Sequence, residues 1–158
     1  MTLENLLKIG QLKPHQPSAE EIQRLLLAAR RNLADARTDQ ISHETRFDAA
    51  YKAIMQAALA ALMANGFRPD TKKPGHHATV VQSLTKTIAL KAERVTVLDT
   101  LRHKRNLSDY TGEDIDHASV EVCVAEAESL LKEVEAWLKN HRPELTLRAK
   151  SEKKQAGQ

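Results

Sequence analysis

The densest polar run in the body of the sequence is Leu98-Asp99-Thr100-Leu101-Arg102-His103-Lys104-Arg105-Asn106-Leu107-Ser108-Asp109-Tyr110. Read as helix, it places Leu98, Leu101 and Arg105 at i, i+3 and i+7, on one face. The two leucines belong to the core, so Arg105 continues a buried stripe and its guanidinium needs partners, because an unpaired buried charge is costly. Asp109 and Asp48 are candidate ion-pair partners, and Tyr110 is a neutral hydrogen-bonding one. Two readings follow. In the first, Arg105 pins the following loop through Asp109 or loop carbonyls. In the second, Arg105, with Arg102, presents planar forks to a phosphate. His76-His77 form a second candidate group. At a helix start they could donate to a phosphate, with Lys72, Lys73 and the helix dipole adding positive potential, or they could simply lie in a solvated loop.

Other chemistries find little in the sequence. A di-iron bundle needs two Glu-x-x-His pairs on facing helices; Asp114-x-x-His117 is one approximate copy and His43-Glu44 adds no second, so no metal or other cofactor is expected. The lone Cys123 excludes an intramolecular disulfide and a multi-cysteine metal site, and it sits on an apolar stripe as a small hydrophobe. Neither a Gly-x-Ser-x-Gly elbow nor a P-loop is present. Aromatic residues are 3% of the chain, which argues against stacking platforms for single-stranded nucleic acid. Of 24 basic and 21 acidic residues, residues 146–158 hold 4 and 1, leaving 20 and 20 in residues 1–145. The body is neutral, the net charge of +3 belongs to the end of the chain, and any anion site must be local.

The elements that must position these groups read as helices nearly throughout. With 158 residues, 41% of them hydrophobic, the chain suits one domain with a real core. Residues 1–17 form an N-terminal segment with a short helix stopped by Gly10 and Pro14. Ser18 caps the next helix, with Glu21 completing a capping box, and Ile22, Leu25, Leu26, Ala29, Leu33 and Ala36 define its buried face. A second long helix starts at Ser42, or at Thr45, and carries large residues (Phe47, Tyr51, Ile54, Leu62) beside an alanine stripe (Ala50, Ala53, Ala57, Ala60, Ala64). Such a helix is packed by two or more neighbours at close range. Asn65-Gly66 stops it.

The segment FRPDTKKPGHH reads as a loop. A third helix then begins near His76–Thr79 with Val80, Val81, Leu84 and Ile88. A fourth carries Val95, Leu98 and Leu101 and ends near Leu107. Whether these two are separate or one bent helix stays open. SDYTGEDID reads as loop. The last helix, opened by Asp116 or Ala118, runs through Val120, Val124, Leu131, Val134 and Leu138 to Pro143. Residues 18–143 are therefore expected to form an all-α, up-and-down bundle of four to five helices, and residues 144–158 a disordered basic tail. No apolar run approaches the length of a membrane span and the start of the chain has no signal pattern, so a cytoplasmic protein is expected.

The Arg105-Asn106 element, the Phe47-Asp48-Ala49-Ala50-Tyr51 helix and the KPGHH loop together resemble the HEPN superfamily of all-α domains, over roughly residues 18–142. The resemblance implies a four- to five-helix bundle, a homodimer, and a nucleotidyltransferase or antitoxin as partner. It also implies contact with nucleotide or RNA through Arg102, Arg105, Asn106, Tyr110, His76 and His77. In the RNases of that family an Arg is followed, after four to six residues, by a His; here four residues separate Arg105 from Tyr110, and the next histidine is His117. A phenol with a pKa near 10 is a poor general base at neutral pH. A non-catalytic or weakly catalytic module is therefore the first expectation. A metal-independent endoribonuclease in which Tyr110 or His103 replaces the missing His beside Arg105, or a purely structural scaffold, are the alternatives.

Overall fold

A computed structural model describes residues 2–146. Among them the elements are α1 (Leu3–Lys8), β1 (Leu12–Pro14), α2 (Ala19–Ala36), α3 (His43–Ala64), β2 (Phe67–Pro69), α4 (His76–Gln82), α5 (Leu84–Thr87), α6 (Ala92–Thr111) and α7 (His117–His141). This is an all-α bundle with one small two-stranded sheet. None of the described helices is long and apolar enough to cross a membrane.

Local chemistry sets the helix ends. The Ser18 hydroxyl accepts from the Glu21 amide and the Ser42 hydroxyl from the Thr45 amide, so both serines are N-caps. The expected capping box is only half present. The Glu21 carboxylate turns instead to His15 Nε2 at 2.7 Å, tying the N-terminal segment to α2. Helix α6 runs through Ser108-Asp109-Tyr110, which the sequence reading gave to a loop. Those residues are solvated helix surface, and the helix stops only at Gly112, whose φ of +71° supplies a left-handed cap.

The third and fourth expected helices resolve into separate elements. Ser83 breaks α4 from α5, and the chain then turns at Ala89 before α6. Ala89 is the one non-glycine among the described residues with positive φ, at 56°, and the Leu90 amide closes back onto the Leu84 carbonyl at 3.1 Å. That is a left-handed helix end occupied by alanine where glycine is usual.

The core is organised around α3. It packs against α2 and α7 on one side and against α4, α5 and α6 on the other. Ala50, Ala53, Ala57, Ala58, Ala60, Ala61 and Ala64 are all buried, which lets neighbouring backbones come close. Arg46 is buried too, at 6% exposure. Its Nε donates to the Ala36 carbonyl at 2.8 Å and its Nη2 lies 3.6 Å from Glu121, so it joins the end of α2 to α3 and α7.

β1 and β2 pair antiparallel, with Lys13 opposite Arg68. This places the α3–α4 connection against the N-terminal segment, where the sequence pattern showed only loop. The described part of the expected tail is not free either. Leu145 is 4% exposed and its carbonyl accepts from Gln23. The basic residues of that tail lie beyond residue 146, outside the described residues.

A left-handed conformation at a residue with a Cβ costs about 1 kcal/mol or more. Ala89→Gly relieves it at some cost in unfolded-chain entropy. The expected outcome is a gain of about 0.5 kcal/mol and a melting temperature raised by roughly 1–2 °C in a thermal melt. A lower melting temperature would contradict the strained alanine.

Candidate functional site

One face of α3 is left uncovered by the packing. Asp48, Lys52, Met55 and Leu59 recur at steps of four, three and four along it, with Tyr51 on one flank and Gln56 on the other. His76, His77 and Val80 from α4, Arg105 from α6, Pro69 at the end of β2 and Thr71 after it close around that face. The result is a cleft of about 560 Å³. This is within the usual range for small-molecule sites. Its walls divide by chemistry: Met55, Leu59, Pro69 and Val80 make an apolar side, and Arg105, Tyr51, His76, His77, Asp48 and Lys52 a polar one.

Arg105 holds the polar side together without being saturated. Its guanidinium carbon stands 5.0 Å from the centroid of the Tyr51 ring, a cation–π contact. Its Nε is 3.6 Å from Asp48 Oδ1 and its Nη2 is 3.7 Å from Asp109 Oδ2. Both expected carboxylates are therefore nearby, yet both stand beyond hydrogen-bond length. The two carboxylates are about half exposed, so such pairs contribute little to stability.

The pKa of Asp48 is raised, because burial and the neighbouring Asp109 outweigh the lowering by Arg105.

Beneath Arg105, Tyr51 is 2% exposed, and its hydroxyl has no hydrogen-bond partner among the described residues. Burial pushes this phenol up to about 12, so it is a neutral donor at physiological pH. The His77 ring lies 6.3 Å from the Tyr51 ring and meets the His76 ring edge-on at 4.6 Å. Burial is the largest influence on His77 and lowers its pKa, and His76, Arg105 and Arg102 lower it further. His77 is therefore uncharged at neutral pH in the empty cleft. An oxyanion placed here would meet a guanidinium fork and a histidine whose surroundings hold it neutral.

The other expected site residues stand elsewhere. Arg102 is engaged by Asp99 at 2.9 Å and by the His103 ring at 3.1 Å, and it lends the cleft charge at a distance rather than contact. Asn106 is half-buried outside the cleft. Tyr110 is 89% exposed and does not line it. The expectation of a pocket shared by Arg105 and Tyr110 is thus corrected: helix α6 continues through Tyr110, carrying it away, and Tyr51 occupies the place beside Arg105. Lys72 and Lys73 are exposed in the loop before α4 and also stay out of the cleft.

Tyr51 was legible as a buried aromatic, but its place beside Arg105 in the cleft lining was not. Lys52, Met55, Gln56 and Leu59 were missed. The available signal was a mixed polar and apolar stripe on a helix otherwise rich in alanine. Among the described residues, no group of three or more His, Cys, Asp or Glu is arranged to hold a metal ion.

Cys123 is buried, its thiol is pushed up to about 12 by burial, and it faces the Phe47 carbonyl, as a small core hydrophobe does. Neither the family models nor the curated proteins contain a match to this chain.

A buried hydroxyl without a partner costs roughly 1–3 kcal/mol. Tyr51→Phe should therefore stabilise the ligand-free protein by about 1 kcal/mol, raising the melting temperature by roughly 2–4 °C. A loss of stability of similar size would show that the hydroxyl is satisfied within the fold.

Proposed function

We propose that this chain is a non-catalytic, HEPN-like helical module that binds the phosphate end of a nucleotide in the cleft between α3, α4 and α6. The observation that carries the reading is an unspent donor on the cleft wall. The Arg105 guanidinium lines the cleft and makes no hydrogen bond at normal length to its carboxylates. A phosphate satisfies it, and charge-assisted bonds of this kind contribute about 1.5–3 kcal/mol each. The apolar wall of Met55, Leu59 and Val80 gives the uncharged part of the ligand a surface to lie on.

The scaffold alternative is less well supported, because the long contacts of Arg105 brace the loop weakly. The endoribonuclease alternative loses its Tyr110, which stands outside the cleft. A homodimer, an RNA ligand, and an antitoxin or nucleotidyltransferase partner are what the HEPN resemblance adds to this proposal.

The test is calorimetric titration of the full chain with nucleoside 5′-monophosphates. Arg105→Ala should weaken binding roughly 10- to 100-fold, the loss of one charge-assisted contact. It should move the melting temperature by less than about 2 °C. Tyr110→Phe should bind as the wild type does. Absence of binding, or an Arg105→Ala variant that binds equally well, would sink the reading.

The pH dependence has a definite sign. The pKa of His77 is depressed in the empty cleft, and a bound anion raises it, so binding takes up a proton. Affinity should therefore rise as pH falls from neutral through the ordinary histidine range near about 6.5. The ligand-free fold behaves oppositely. Its His77 contribution is present above the unfolded pKa of about 6.5 and is lost as pH falls through the lower folded value.

A further inference from the structure

Gln56 lines the cleft on the flank of α3 opposite Tyr51, and it is not free to rotate. The Asn32 amide nitrogen, on α2, donates to Gln56 Oε1 at 2.8 Å in a half-buried contact. With its carbonyl engaged by the neighbouring helix, Gln56 has only its NH₂ group left to offer. Gln56 lies five positions beyond Tyr51, a rise of about 7.5 Å along α3. The anion-binding corner and this donor thus line different levels of one cleft, with the apolar surface of Met55 and Leu59 on α3 beside them.

We infer that Gln56 is the residue that recognises the base of the bound nucleotide, donating to a base carbonyl, and that Asn32 is the positioning residue that fixes which end of the amide faces the cleft. This rests on the phosphate-binding reading above and adds to it a second contact and a ligand chemistry: a phosphate monoester carrying a carbonyl acceptor on a planar, uncharged group. Asn32 touches no ligand. It acts by removing the Gln56 carbonyl from the choices the ligand meets.

The experiment compares two probes on the full chain, uridine 5′-monophosphate and ribose 5-phosphate, and reads the ratio of their affinities. The phosphate corner serves both, so a through-space charge effect on that corner cancels in the ratio. In the wild type the uridine nucleotide should bind more tightly. Gln56→Glu keeps the bond from Asn32 and the side-chain shape but replaces the donor with an acceptor; the ratio should fall roughly three- to tenfold, the range of one neutral hydrogen bond. Asn32→Asp cannot donate to Gln56, which then turns its NH₂ toward α2; it should lower the ratio in the same direction without altering the cleft lining. Arg105→Ala should weaken both probes and leave the ratio unchanged.

If both probes bind and Gln56→Glu leaves the ratio at its wild-type value, the Gln56 inference is wrong and the phosphate-binding reading stands. If Gln56→Glu lowers the ratio but Asn32→Asp does not, the positioning role of Asn32 is wrong. If neither probe binds the wild-type chain, the phosphate-binding reading fails and this inference fails with it.

Discussion

Helix α3 is enclosed by other helices on every face but one, and that constraint organises the molecule. A helix so enclosed must carry small residues where neighbours approach and large apolar ones where gaps need filling. Its alanines and the Phe47, Ile54 and Leu62 side chains meet those needs. Arg46 apart, the polar side chains along its middle turns, Asp48, Tyr51, Lys52 and Gln56, lie on the single uncovered face or its flanks. The cleft is therefore a consequence of the packing. It is where α4 and α6, arriving from the far side of the bundle, fail to cover the central helix. The short α4 and α5 and the left-handed turn at Ala89 determine how α6 arrives, and so where Arg105 stands over Tyr51.

The electrostatics of the site follow from partial burial. Arg105 keeps about a third of its side chain exposed and spreads its charge over a ring face and two carboxylates at a distance. Arg46 and Arg94 show the contrasting arrangement. Arg46 donates at 2.8 Å to a helix-end carbonyl, and Arg94 makes contacts of 3.0 and 2.6 Å with Glu126 and Glu133. Those two arginines fasten α3 and α6 to their neighbours. Arg94 also leaves its buried Nη2 without a partner, but of the three it is Arg105 that makes no carboxylate or carbonyl contact of normal length and lines the cleft. That difference separates a fastening residue from a binding one.

The features legible in the sequence were those that depend on neighbours a few residues away. Ser18 and Ser42 cap because a hydroxyl reaches an amide three positions on, and the buried stripes of α2, α3 and α7 follow from helical spacing. Arg105 stood out for the same reason, as a charge continuing the Leu98 and Leu101 stripe. Features set by distant partners were not legible. Strand β1 pairs with β2 across the whole of α2 and α3, and two three-residue segments containing proline carry no pattern that announces it. The capping-box carboxylate of Glu21 was drawn off by His15. Tyr110 was placed in a loop because Ser108 and Asp109 suggest turns, although both also sit comfortably on a solvated helix. The Tyr51 hydroxyl and the Gln56 amide acquire meaning only once α4, α6 and Asn32 are in place around them.

The most direct test of the account is nuclear magnetic resonance of the Arg105 side chain and the His77 ring while a nucleoside monophosphate is added near pH 7. The account predicts that the Arg105 Nε–H signal shifts on binding as it gains a hydrogen bond. It also predicts that the His77 ring nitrogens move from the neutral toward the protonated pattern in the same titration. Binding with both signals unmoved, and changes confined to other basic side chains, would contradict it.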